Sequence, residues 1–340
     1  MPARANHWRR GRSLWLRIEG EAVACPACGS SRIVLLDVIP LRRDVSGRRV
    51  GFVTGCRECG VLFSNPLPTP EHLAQFYGPI GPWAEAQSDR LDRLEKRAAE
   101  RLKRQKPLTP ANRRKRPRDY LIEGMNSYFP VLAPAPDSKV LDFGCGDGKL
   151  LDSLQARGWK TYGIEPSADH AFLRHHRLDS VPQDASFDLI VLHHVLEHVL
   201  RPLDVLRELA GASRDGGFLS VGVPRLDTLA LHGDIRYCIN GRLHLACFSE
   251  TCLRGLLARA GFETVARLDE PGLDQVMTEG IPLRLRLLAR RTSRDVPLPR
   301  APLGAALRAL AEYAHGRSSG ADRLRAILPV RVRAALQERR

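Results

Sequence analysis

The chain has 340 residues with 53 Lys+Arg against 38 Asp+Glu, and 43% of its residues are hydrophobic. That composition is globular and excludes collagen-like, mucin-like and wholly disordered chains. No stretch reaches the ~18 uncharged apolar residues of a membrane span, and the Arg-rich start lacks an apolar run, which predicts a cytoplasmic protein.

The formal charge of +15 is unevenly placed. Residues 1–17, 96–118 and 284–340 carry five, ten and ten net positive charges, so the remainder is net negative by ten. Such basic segments suit a phosphate-rich partner or an anionic membrane surface. The preference for Arg over Lys is also what a GC-rich genome writes.

Residues 1–24 read as a basic arm. Cys25-Pro-Ala-Cys28 and Cys56-Arg-Glu-Cys59 follow, two C-x-x-C knuckles separated by 27 residues and each continued by glycine. Four thiolates in two close pairs suit tetrahedral Zn2+, and with no secretory signal disulfides are the poorer reading. Between the knuckles, residues 33–41 and 48–54 read as two strands around Ser46-Gly47. The whole of 25–77 then reads as a zinc-ribbon-like domain ending in a short helix over 70–77. The set leaves no open position, so the ion is structural. The other four cysteines are scattered and read as apolar filling.

Residues 78–130 read as a helical basic linker. A charged helix over 84–106 has Leu91, Leu94, Ala98 and Leu102 at helical spacing, and Pro107, Pro110 and Pro117 end it.

From Lys139 the pattern is strand (140–143), glycine loop, helix (149–157), Gly158 as C-cap, strand (159–164) and Glu165. This is the opening βαβ unit of a nucleotide-binding α/β fold. The loop is Asp142-x-Gly144-x-Gly146-x-Gly148, not G-x-G-x-x-G. A buried strand over 187–192 leads into His193-His194-Val195-Leu196-Glu197-His198. Then come a helix (203–210), a Gly-Gly turn, and a strand (218–223) ending at Pro224. A helix over 249–260 with Ser249 as N-cap, a strand over 262–268 and a last strand over 281–287 close the unit.

In this order of motifs the chain resembles the class I S-adenosylmethionine-dependent methyltransferases, in particular bacterial members with an N-terminal zinc-binding region acting on small molecules and sugars. The resemblance covers residues 25–77 and about 137–290. It implies an α/β fold, a Rossmann-like sheet over 131–290 preceded by the zinc unit and followed by C-terminal helices over 291–340. It also implies S-adenosylmethionine as donor, held by Asp142, Gly144, Cys145, Gly146, Gly148, Glu165, Pro166 and His193, with Glu165 on the ribose. His194 and Glu197 would face the substrate, and Glu197-His198 reads equally as a helix-start feature. One departure is the short 166–186 segment, which truncates or removes the third strand. Asp179 is the remaining acid there.

The zinc-carrying sugar C-methyltransferases have Tyr-Asp-Glu-His before an aromatic-Phe-Ser. Here His244, Phe248 and Ser249 are kept, but the Tyr position is Gly241 and the Glu position is Leu243. That departure argues against carbon methylation and leaves His244, or His194, to accept a proton from a hydroxyl. The expected substrate is therefore a small molecule or saccharide intermediate. One rival is a nucleic-acid methyltransferase, against which stands the lack of an Asn/Asp-Pro-Pro-aromatic motif after the fourth strand. The other is a non-catalytic binding protein with a degenerate donor pocket.

Beyond Arg290, Leu303, Leu307, Leu310 and Tyr313, then Leu324, Ile327 and Leu328, suggest two amphipathic helices. They would cover the substrate cleft, pack on a second subunit or rest on a membrane surface.

Overall fold

The computed structural model describes residues 17–18, 21–22, 24–40, 50–77, 132–146, 148–165, 175–182, 186–226, 238–239, 244–268, 284–299 and 302–316. The helix read over 84–106, the basic linker, Pro166 and the second C-terminal helix lie outside them.

Two residue pairs, β1 (Arg17–Ile18) and β2 (Glu21–Ala22), form a minimal antiparallel ladder within the segment read as an arm. The knuckle-bearing unit is built on β3 (Ile33–Pro40), β4 (Val50–Cys56) and β5 (Leu62–Asn65), followed by α1 (Pro70–Tyr77). The strands are antiparallel, and β5 is buried at all four positions.

The larger sheet contains β6 (Lys139–Phe143), β7 (Lys160–Ile164), β8 (His176–Arg177), β9 (Phe187–His193), β10 (Ser213–Pro224), β12 (Phe262–Arg267) and β13 (Arg284–Arg291). Its order is β12-β13-β10-β9-β6-β7-β8. The pairs from β8 through β10 are parallel, while β13 is antiparallel to both β10 and β12. The near-continuous apolar run of β9, Leu189 to Leu192, is fully buried, as expected of a central parallel strand covered on both faces. The third strand survives as β8, two residues long. The last strand, read over 281–287, is described from Arg284 and runs on to Arg291. Leu287, Leu288 and Ala289 lie between two partner strands, and Arg291 still pairs with Phe262 at the far end.

The helices are α2 (Lys149–Gln155), α3 (Pro202–Ala212), α4 (Glu250–Arg259) and α5 (Pro302–Gly316). Ser249 caps α4 as its sequence position predicts, its Oγ accepting from Cys252 N at 3.2 Å. Buried His175 ties α2 to β7, its ring nitrogens 2.7 Å from Thr161 Oγ1 and 3.0 Å from Asp152 Oδ1. Pro202, Leu203, Leu206, Leu209 and Ala210 give α3 one buried face at helical spacing.

A short strand from the segment after β10 joins the knuckle sheet rather than the larger one. β11 (Ala246–Cys247), from the segment carrying His244, pairs antiparallel with β5, Ala246 against Phe63 and Cys247 against Leu62. Behind it, Cys25, Cys56, Cys59, Val61 and Phe63 belong to one apolar cluster with Phe248, Cys252, Leu253 and Leu256. Leu303, Ala306 and Ala309 of α5 are buried in a second cluster with Leu36, Val53, Leu62 and Cys247. The apolar face of this helix is therefore covered by the chain itself. Among the described residues no helix is long and apolar enough to cross a membrane.

Candidate functional site

Strand order reverses at β6, which has β7 on one side and β9 on the other. The loops leaving the carboxyl ends of β6 and β9 therefore sit side by side, at the switch point where such sheets take their ligands. They touch: a Cβ added to Gly144 would collide with Val195 Cγ2. Gly144 also has φ +82°, in the left-handed region, so glycine is required there twice over.

The first loop is tied to the end of β7. Gly144 N and Cys145 N donate to Ile164 O at 2.8 and 3.1 Å, and Gly146 N donates to Glu165 Oε2 at 2.9 Å. Gly146, φ +53°, has no atom of another described residue within 4 Å of where a Cβ would stand, so the loop backbone is left uncovered by the described residues there. Asp142 is buried beneath it, and desolvation, helped by the Glu165 charge, pushes its carboxyl up to about 7. Burial also pushes the Cys145 thiol up. Two acids, one of them short of solvent, beside an open glycine loop make a cradle for a cationic ligand.

The loop after β9 collects His194, Glu197 and His198. His194 N donates to Gly222 O at 2.9 Å, and its Nδ1 lies 3.3 Å from Glu197 Oε1. Glu197 is fully buried. Its backbone O accepts from Leu245 N at 2.7 Å and Ala246 N at 3.2 Å, which draws His244 in. The His198 and His244 rings meet edge to face with centroids 5.0 Å apart. Glu197 is not a helix-start device: α3 begins at Pro202 with Arg201 as N-cap and no side-chain cap bond.

The four knuckle cysteines converge. The Sγ atoms of Cys25 and Cys59, and those of Cys28 and Cys56, are 3.6 Å apart, and all four lie within 4.8 Å of one another. Thiolates ~2.3 Å from a tetrahedral ion stand about 3.8 Å apart, so the donor set fits zinc. Gly29 N and Gly60 N donate back to Cys25 O and Cys56 O at 2.8 and 3.0 Å, at φ +73° and +77°. Such crowded thiols do not titrate alone. Hydrogen bonding from Cys25 lowers Cys28 to about 7, and the same neighbour holds the Cys56 thiol well below its usual value.

A family model described as "Methyltransferase domain" matches residues 87–267. The chain belongs to this family. The mixed seven-stranded sheet, with its single antiparallel strand β13, is the Rossmann-like class I methyltransferase fold.

The methyltransferase domain has relatives with different substrates in their names. A tRNA U34 carboxymethyltransferase of Actinobacillus succinogenes is 30% identical over 42% of this chain and 50% of that protein. A ubiquinone biosynthesis O-methyltransferase of Aliivibrio fischeri is 29% identical over 29% of this chain and 46% of that protein. The chain spans about half the length of the curated relatives it matches. Among solved structures, the 1,6-didemethyltoxoflavin-N1-methyltransferase of Burkholderia thailandensis, with bound 1,6-didemethyltoxoflavin and S-adenosylhomocysteine, is 17% identical with a TM-score of 0.40, over 52% of this chain and 80% of that one.

Around the methyltransferase loops, His194, Glu197 and His244 come together, as do Asp142, Gly144, Cys145, Gly146, Gly148 and Glu165. His193 turns onto β10, its Nε2 3.0 Å from Ser220 Oγ. Asp179 has a side chain 95% exposed, 3.8 Å from Arg177, so it offers no enclosed contact to a ligand. His198, outside the residues expected to bind donor or substrate, stands with this group, its ring against His244. The Glu-His pair marked it, but only the return of residues 244–247 shows that its ring has a partner.

The raised Asp142 carboxyl carries a pH signature. Its native pKa of about 7 exceeds the unfolded value, so the native state keeps this proton where the unfolded chain has lost it. The resulting stability is complete below about pH 4 and is lost as pH rises through 7. Asp142→Asn mimics the protonated form. Relative to this variant, wild type is expected to lose up to about 4 kcal/mol between pH 4 and 8. Thermal melts of both proteins at several pH values check this; a gap that does not widen with pH contradicts it.

Proposed function

We propose that this methyltransferase domain moves a methyl group from S-adenosylmethionine to an oxygen of a small molecule or saccharide intermediate, with one structural zinc ion on the four knuckle cysteines. The observation that carries the donor assignment is the cradle itself. Asp142 and Glu165 flank a glycine loop that no described residue covers at Gly146, which suits a ligand bearing a sulfonium, an ammonium and a ribose diol.

The donor supplies an electrophilic methyl on a positively charged sulfur. The chain's residues supply placement. The glycine loop admits the methionyl part, and Glu165, anchored by Gly146 N, accepts from the ribose hydroxyls. The residues after β9 then set the acceptor opposite the sulfur. His194, half-exposed and oriented by Glu197, takes the hydroxyl proton as the O–C bond forms and the C–S bond breaks. The C–S electron pair leaves with S-adenosylhomocysteine. This is the base-plus-orienting-carboxylate arrangement that general base catalysis needs.

Glu165→Ala is expected to weaken S-adenosylhomocysteine binding by about 1.5–3 kcal/mol, the scale of lost hydrogen bonds to a charged group. Isothermal calorimetry on the two proteins measures it. Equal affinities would remove the ribose role.

The basic segments and the tRNA-directed relative support a second reading, transfer to RNA. Affinity for RNA falling steeply with salt, with a slope of several phosphates, would favour it over the small-molecule reading.

A further inference from the structure

We propose that Glu197, His198 and His244 form a second metal site, distinct from the cysteine set, for a divalent first-row transition cation that receives the acceptor oxygen of the substrate. The use of the ion rests on the methyl-transfer reading above; its binding does not.

A carboxylate oxygen of Glu197 and one ring nitrogen each of His198 and His244 lie within 4.8 Å of one another. Ligands around an ion at ~2.1 Å stand about 3–4 Å apart, so modest side-chain adjustment closes the set. Glu197 has no exposed surface, and its Oε2 has no hydrogen-bond partner among the described residues. A buried carboxylate with an unmet oxygen is costly unless a cation answers it. Protein neighbours answer it only in part. Oε1 is 3.3 Å from His194 Nδ1, at the edge of hydrogen-bond reach, and 3.7 Å from His198 Nε2, beyond it.

The ligands are held in place before any ion arrives. Glu197 O binds the amides of Leu245 and Ala246, and Ser64 N of the knuckle unit donates to Leu245 O at 2.8 Å. The segment bearing His244 is thus clamped between the β9 loop and β5. Two imidazoles and one carboxylate select a borderline transition ion over Mg2+ or Ca2+, which prefer oxygen ligands alone. Three protein ligands leave positions open, unlike the closed cysteine set. The site adjoins the donor cradle through Val195, which sits against Gly144. A hydroxyl entering an open position there would give up its proton more readily, and His194 stands within reach to take it.

Cobalt(II) distinguishes this site from the knuckles, because thiolate-bound cobalt has an intense sulfur charge-transfer band that an imidazole–carboxylate site lacks. The full-length protein carrying one zinc per chain is titrated with Co2+ by absorption and calorimetry, alongside His198→Ala and His244→Ala. Folding of each is checked by its thermal melt. Expected is one further Co2+ per chain without sulfur charge transfer, bound more than ~100-fold more weakly in either variant, beyond what loss of an outer-shell partner costs. Cobalt uptake showing only sulfur charge transfer, or imidazole-type uptake unchanged in both variants, overturns the site. S-adenosylhomocysteine calorimetry on the same sample separates the readings. Donor binding without the second ion defeats this inference alone, and the ion without donor binding defeats the methyl-transfer reading alone.

Discussion

His244→Ala is expected to lower turnover by about 10²–10⁴-fold while S-adenosylhomocysteine affinity stays essentially unchanged. The split follows from where the ring sits. His244 rests against His198 beside Glu197, on a segment held by β5 and by Glu197 O, whereas the donor cradle is built from β6, β7 and the loop between Gly144 and Gly148. Removing the imidazole leaves that cradle whole and takes away a group that the proposed reaction sets beside the acceptor oxygen. Rates of S-adenosylhomocysteine release with an accepted substrate, paired with calorimetry on the same samples, test it. A purely structural histidine would instead lower the melting temperature and leave turnover per folded molecule intact.

Cys56→Ser is expected to abolish zinc binding and destabilise the protein by upwards of about 4 kcal/mol, the class of effect that loss of a structural metal produces. The damage should not stay within the knuckles. Cys56 is fully buried in the same cluster as Phe63, Phe248, Cys252 and Leu253, and β5 directly carries β11. Loosening the knuckles therefore loosens the segment that presents His244, so turnover should fall along with stability. Plasma emission analysis of the purified chain should find about one zinc per molecule in wild type and none at the cysteines in the variant. Wild type purified without zinc, or a variant that melts like wild type, would contradict the assignment.

Local chemistry was legible from sequence wherever it was dense. The knuckles, the Asp142–Gly148 loop, the apolar run of β9 and the Ser249 cap each combine residue type with spacing: the four cysteines converge, β9 is a buried central strand and Ser249 caps α4. Pairing between distant segments was not. β11 is two residues long and has no periodicity of its own; it is a strand only because β5 offers it an edge. The two knuckle strands announced themselves, but β11 joins their sheet through β5, and Ala246 lies 183 positions beyond its partner Phe63, too far for any local pattern to show.

The covering of α5 was hidden for the same reason. The stripe of Leu303, Leu307 and Leu310 suits the substrate cleft, a second subunit or a membrane surface equally well, and only the packing of this helix against Leu36, Val53 and Leu62 decides where it goes. Glu197 was legible as either a substrate-facing group or a helix-start feature; its backbone holds residues 245–246, and its carboxylate lies among His194, His198 and His244, 3.3 Å from the first. β8 came out short because the 166–186 segment has few residues to spend, and the exposed Asp179 beyond it is not a substitute for a longer strand's acid.

The central claim is that Asp142, the glycine loop and Glu165 bind S-adenosylmethionine. The most direct measurement is isothermal calorimetry of S-adenosylmethionine and S-adenosylhomocysteine into the full-length wild-type protein. The account predicts saturable binding of one molecule per chain for both ligands. No binding of either ligand at millimolar concentration would contradict it and leave a methyltransferase fold without a working donor site.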